Sequence, residues 1–123
     1  MITCVEEINI KEEAAVINQE IIQGATYNLS LQMLGSDSVA TDLTGATAKL
    51  TIKTAADVVV LVLTDTSGIT LGTTNGFVDV EYTATQTALF PLLRLTYNLD
   101  VTLGTEVTPV ARGNYKVIKN TNI

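Results

Sequence analysis

The side chains in this 123-residue sequence that suit acid–base, nucleophilic or metal chemistry are thirteen carboxylates and one thiol, Cys4, with no histidine. Dyads and triads that use His as base are thereby excluded, as are His-containing zinc sites. A single Cys builds neither a thiolate metal cluster nor an intrachain disulfide. No residue near Cys4 would lower its pKa, so it is not expected to act as a nucleophile. Glu6 and Glu7, like Glu12 and Glu13, are adjacent. In a strand each pair points to opposite faces, which prevents a shared proton or metal. Asp42, Asp65, Asp79 and Asp100 fall in or near turns or on wet faces, where oxygens can hold Ca²⁺, yet no Asp-x-Asp spacing occurs. The glycines of "GATYNL" and "LTGATA" are isolated turns, and no Gly-rich phosphate loop precedes a helix. Neither a catalytic site nor a cofactor or metal site is expected.

Charge narrows the partners. The net charge is −6, and the first twenty residues hold five glutamates against one lysine. Lys and Arg are scattered singly elsewhere, whereas phosphate binding needs clustered cations, so no nucleic-acid partner is expected. There is also no basic face for an anionic membrane. "MITCVEEINI" is acidic and interrupted and does not read as a secretion signal. The most apolar run, Val58–Leu63, is far shorter than the roughly 20 residues of a membrane helix. A lone cysteine fits a reducing compartment or a particle assembled inside a cell.

The elements that must position these residues read as strands. The chain is long enough for one domain, at 46% apolar residues. Period-2 alternation begins after Ala25, with Tyr27, Leu29, Leu31 and Met33 on one face. "GSDS" turns the chain, and Ala46, Ala48, Leu50 and Ile52 form the next inward row. "VVVLVL" (Val58–Leu63) reads as a strand covered on both faces or central in its sheet. Ile69 and Leu71, then Val78, Val80 and Tyr82, then Tyr97, Leu99, Val101 and Leu103, continue the pattern. Gly104 sits in a tight hairpin turn. Val107, Pro109, Ala111, Gly113, Tyr115 and Val117 complete the last strand, with Pro109 expected at an edge or bulge because it cannot donate to a ladder. Turns every eight to twelve residues predict an all-β antiparallel sandwich. Residues 1–17 read as an acidic N-terminal arm and 18–123 as the sandwich. Within "KEEAAVINQEII" (Lys11–Ile22), helical spacing of Ala14, Ile17 and Ile21 competes with an extended arm whose Asn18–Ile22 pairs as a first strand. The extended reading is favoured.

One stretch interrupts the strands. "TATQTALFPLLRLTY" holds an apolar knot, Ala88–Leu93, followed by Arg94. Thr83 or Thr85 suits the cap of one helical turn near residues 84–90, and Pro91 ends it. Leu89 is expected to be buried as the plug of the sandwich end. Phe90, Leu92 and Leu93 cannot all face one small core, so at least one, together with Arg94 at the rim, is the candidate interface with another subunit. Arg94 also fits a plain solvated surface residue. Tyr97 follows this turn and starts a strong strand. It suits a tyrosine corner, ring inside and hydroxyl bonded to the preceding loop, or else simple core packing.

The ordered series Gly24-x-Thr26-x-x-Leu29-x-Leu31, "DLTGATAKLTIK", Gly76-x-Val78-x-Val80, "TQTALF…Y" and Gly113-x-Tyr115-x-Val117 resembles the small immunoglobulin-like domain of tailed-bacteriophage structural proteins. It is similar to the N-terminal domain of phage baseplate upper proteins, over roughly residues 22–119. "PLLRLTY" departs from the family in lacking a glycine shortly before the tyrosine. The resemblance implies a virion protein of tail, baseplate or neck, assembled in the host cytoplasm. Its expected partners are other virion proteins and further copies of itself, and it would act by assembly rather than turnover. The competing expectation is a free binding module for carbohydrate or another cell-surface ligand, which requires exposed aromatic platforms.

Overall fold

Alternating strands that each have one apolar row must bury those rows against each other, and two stacked sheets do so. The computed structural model describes residues 2–9, 15–34 and 39–120. In chain order the strands are β1 (Ile2–Asn9), β2 (Ala15–Val16), β3 (Gln19–Ile22), β4 (Tyr27–Leu34), β5 (Thr47–Thr54), β6 (Val59–Thr64), β7 (Ile69–Leu71) and β8 (Phe77–Tyr82). A short helix α1 (Ala84–Ala88) precedes β9 (Arg94–Leu103) and β10 (Glu106–Ile118). One sheet runs β1-β4-β8-β7, and the other runs β2-β10-β9-β5-β6 with β3 also on β10. The fold is thus the expected all-β sandwich with one short helix.

The inward rows meet across strands in register. Leu29 opposes Val80 and Leu31 opposes Val78 between β4 and β8. Leu50 opposes Leu99 and Ile52 opposes Tyr97 between β5 and β9. All eight side chains are buried in one core that both sheets share. Pairing of apolar side chains directly across strands is the local unit of sheet stability. The β9–β10 hairpin closes through two residues, with Gly104 at φ +66°, the left-handed conformation such turns require.

The N-terminal segment joins both sheets. Ile2–Asn9, which composition assigned to an acidic arm, pairs as β1 in parallel with β4. β2 and β3 then pair in parallel with β10. Residues 15–22 are therefore extended, not helical, and Ile17 belongs to the buried core. Lys11–Ala14 and the "GSDS" turn at 35–38 lie outside the described residues.

Three strand expectations need correction. β6 is not central: it is the edge of its sheet, and Val59 and Val62 are 53% and 42% exposed. Burial on both faces was inferred from an unbroken apolar run, which carries no information about strand order. The second concerns the inward row of β10. The register shifts between Pro109 and Ala111, so Val110 and Ala111 are both buried while Val107 and Pro109 are exposed. A bulge inserts one residue and reverses the facing of everything before it. Pro109 sits at that bulge, where its missing N–H does least harm. Leu103, at the hairpin end of β9, is exposed rather than inward.

Candidate functional site

The apolar knot is built outward from α1. The Thr83 hydroxyl accepts from the Gln86 N–H at 3.2 Å, and the Gln86 side chain accepts from the Thr83 N–H at 2.9 Å. This reciprocal capping box satisfies two donors and fixes where the turn begins. The buried Thr87 hydroxyl donates to the Ala25 carbonyl at 2.7 Å, tying the helix to the chain just before β4. The Gln23 amide donates to the Phe90 carbonyl at 2.8 Å, a second tie to the same turn.

These ties set the rotation of the knot, and it differs from the expectation. Leu89, expected as the buried plug, is 79% exposed, and Phe90 is 2% exposed and is the plug instead. With Thr87 pinned inward, a residue two further along a helical turn points away from the core. The Phe90 ring meets Tyr82 edge-on at 5.9 Å. Phe90 is thereby removed from the candidate interface. Leu92 and Leu93 are 54% and 56% exposed. Leu89, Leu92 and Leu93 thus form an exposed apolar cluster at one end of the sandwich, and the Ile22–Ala25 turn bonded to it carries the partly exposed Ile22. Arg94 is exposed at the start of β9, opposite Lys116, and lines an open concavity with Glu20, Asn18 and Asn114.

Behind the knot lies a cluster of four buried tyrosines. Tyr97 and Tyr115 stack at 4.4 Å, and Tyr27 and Tyr82 stack at 5.6 Å. Tyr115 joins the two pairs, edge-on to both Tyr27 and Tyr82. The Tyr82 and Tyr115 hydroxyls share a hydrogen bond of 2.8 Å. Burial pushes both of their pKa values well above the ordinary tyrosine range. Buried, neutral and hydrogen-bonded to each other, these hydroxyls are cross-braces between the sheets rather than acids or bases.

Tyr97 has its ring inside, but its hydroxyl donates to the Ile17 carbonyl at 2.7 Å, not to the preceding loop. The interaction spans the chain and holds the link between β2 and β3 on the sheet. Ile17 N–H donates to Arg112 O, and the Asn18 side chain accepts from Asn114 N–H. Gly113 lies between these contacts and opposite Tyr97 on β9. A Cβ at Gly113 would stand 2.0 Å from the Ile17 carbonyl oxygen, so only glycine permits this approach.

The sequence-flagged carboxylates are dispersed. Asp42 accepts from the Thr44 hydroxyl and N–H, which lower its pKa, the hydroxyl most. Asp65 accepts from the Ala48 N–H at 3.1 Å, and Asp79 accepts from the Ser30 hydroxyl. Among the described residues no three His, Cys, Asp or Glu side chains converge as metal ligands. Among them, too, no helix is long and apolar enough to cross a membrane.

The chain shares its fold with a phage domain. The solved N-terminal domain of phage TP901-1 ORF48 matches with a TM-score of 0.59 at 11% identity. The match covers 95% of this chain and 98% of that one, so the likeness extends to the whole sandwich. No family model and no curated protein matches the sequence. At this identity the likeness is one of architecture, and it agrees with the resemblance read from the strand-and-turn series.

Proposed function

We propose that the chain is a non-enzymatic structural module of a bacteriophage particle, acting through assembly with other virion proteins. The fold shared along its whole length with the phage TP901-1 ORF48 N-terminal domain carries this reading. The exposure of Leu89, Leu92 and Leu93 within one short turn supports it, because exposed apolar patches mark protein contacts. The carbohydrate-binding alternative is weakened, since Tyr27, Tyr82, Tyr97, Tyr115 and Phe90 are all buried and half-buried Phe77 is the one remaining aromatic side chain. In the host cytoplasm the module would fold first and then dock, with the knot as the docking end. The test is complementation of a phage whose copy of this gene is inactivated. Wild-type protein should restore plaque formation, and Leu92→Lys/Leu93→Lys should fail to do so while remaining folded. Full complementation by the folded double variant would remove the knot from the account. Normal plaque formation without the gene would remove the structural role.

A further inference from the structure

Lysine and arginine stand singly along the sequence, and the fold gathers them onto one surface. Five of the seven, Lys49, Lys53, Arg94, Arg112 and Lys116, lie on β5, β9 and β10. Each is next to a buried core residue in its strand and so points to the outer face of the larger sheet. Lys116 stands directly opposite Arg94. Like charges directly opposite each other destabilise a sheet, so the monomer gains nothing from that pair. Among the described residues, the outward acids of these strands are Glu20, opposite Lys116, and Asp100, opposite Lys49. Lys53 is held by Asp57 at 3.2 Å, the one ion pair among the described residues. Five cations against these three acids leave the face net positive on a chain of net charge −6.

The other sheet reverses the sign. Its strands β1, β4, β7 and β8 contain neither lysine nor arginine. On its outer face Asp79 and Glu81 are exposed on β8, opposite the uncharged Ser30 and Asn28 of β4. The sandwich therefore has a cationic side and an acidic side. We propose that copies of the chain stack front to back, with the outer face of the β10-β9-β5 sheet of one copy on the outer face of the β4-β8 sheet of the next. Arg94, Arg112 and Lys116 then meet Asp79 and Glu81 of the next copy. Stacked sheets lie about 10 Å apart, a gap that long cationic side chains and carboxylates bridge together. Apolar side chains accompany the charges: Val16 and Val62 are exposed on the cationic face, and Phe77 is half-buried on the acidic one. A phosphate polymer fits the cationic face less well, because Glu20 and Asp100 interrupt it and phosphate binding needs clustered cations. The two faces lie on opposite sides, so the contact is heterologous and copies add in series, as a ring or a filament. The inference rests on the charges of the two sheets and depends neither on the phage reading nor on the knot.

Sedimentation equilibrium on the purified full chain tests it. At hundreds of micromolar and about 10 mM salt, where charges act over about 30 Å, the wild type should exceed twice the chain mass of 13.1 kDa. At about 1 M salt, where they act over about 3 Å, it should fall toward the mass of one chain. Arg94→Glu/Arg112→Glu and Asp79→Lys/Glu81→Lys change exposed side chains, and circular dichroism should show both variants folded. Each alone should stay monomeric at low salt, because its two faces then have the same sign. An equimolar mixture should regain assembly, because every face of one variant finds its opposite on the other. Both variants keep a net negative charge, so general attraction between the two proteins does not explain that recovery. A wild type that stays monomeric at low salt, one that stops at a dimer, a mass that ignores salt, or a mixture that stays monomeric would each overturn the proposal.

Discussion

Phe90 and Leu89 are neighbours in sequence with opposite energetics. Phe90 fills the end of the core against Tyr82, and Leu89 lies in solvent. Phe90→Ala should cost about 3–5 kcal/mol in urea unfolding, from lost burial and the cavity left behind. Leu89→Ala should change stability by less than about 0.5 kcal/mol. Equal losses at the two positions would contradict the observed rotation of the knot. Tyr97 makes a second residue-level case. Tyr97→Phe keeps the stacked ring but leaves the buried Ile17 carbonyl without its donor, which should cost about 1–3 kcal/mol. The same change should raise amide exchange in β2 and β3 more than in β8, because the lost bond holds the N-terminal segment. The residue types at these positions were legible in the sequence, and their partners were not. Tyr97 bonds a carbonyl eighty positions away. A helix of five residues is too short for periodicity to fix which of two adjacent side chains turns inward.

At the scale of elements, alternation located the strands reliably because each has one wet face. β4, β5, β8 and β9 all follow their period-2 rows. The helical turn was legible from Thr83 and Pro91, since capping and termination are local chemistry. Thr83→Ala should remove the capping box and cost about 1 kcal/mol, with the loss read in thermal unfolding. β6 and β10 were misread for reasons that do not lie within a strand. Position at a sheet edge is a property of topology, and a bulge changes facing without changing composition. The parallel pairing of β1 with β4 was equally hidden, because acidic residues at the N-terminus read first as a solvated arm.

At the scale of the whole molecule, the tyrosine cluster links the sheets and ties stability to pH. Burial raises the pKa values of Tyr82 and Tyr115 in the folded state, so the folded protein holds protons that the unfolded chain releases. Their contribution is complete below the unfolded value, about pH 10, and is lost as pH rises from there toward the raised folded values. With two such groups, stability should fall by roughly 2–3 kcal/mol per pH unit in that window. Tyrosinate absorbance should then appear together with loss of β-sheet circular dichroism, in one transition. Gradual ionisation of Tyr82 and Tyr115 in a folded protein would contradict this. The structural role proposed for the chain also belongs to the molecule as a whole. The most direct test of that reading is quantitative mass spectrometry of gradient-purified particles from the phage whose genome encodes this chain. The chain should be present in several copies per intact particle, in a fixed ratio to the other structural proteins. Its absence from intact particles, with the protein recovered only in the free soluble fraction, would contradict a structural role.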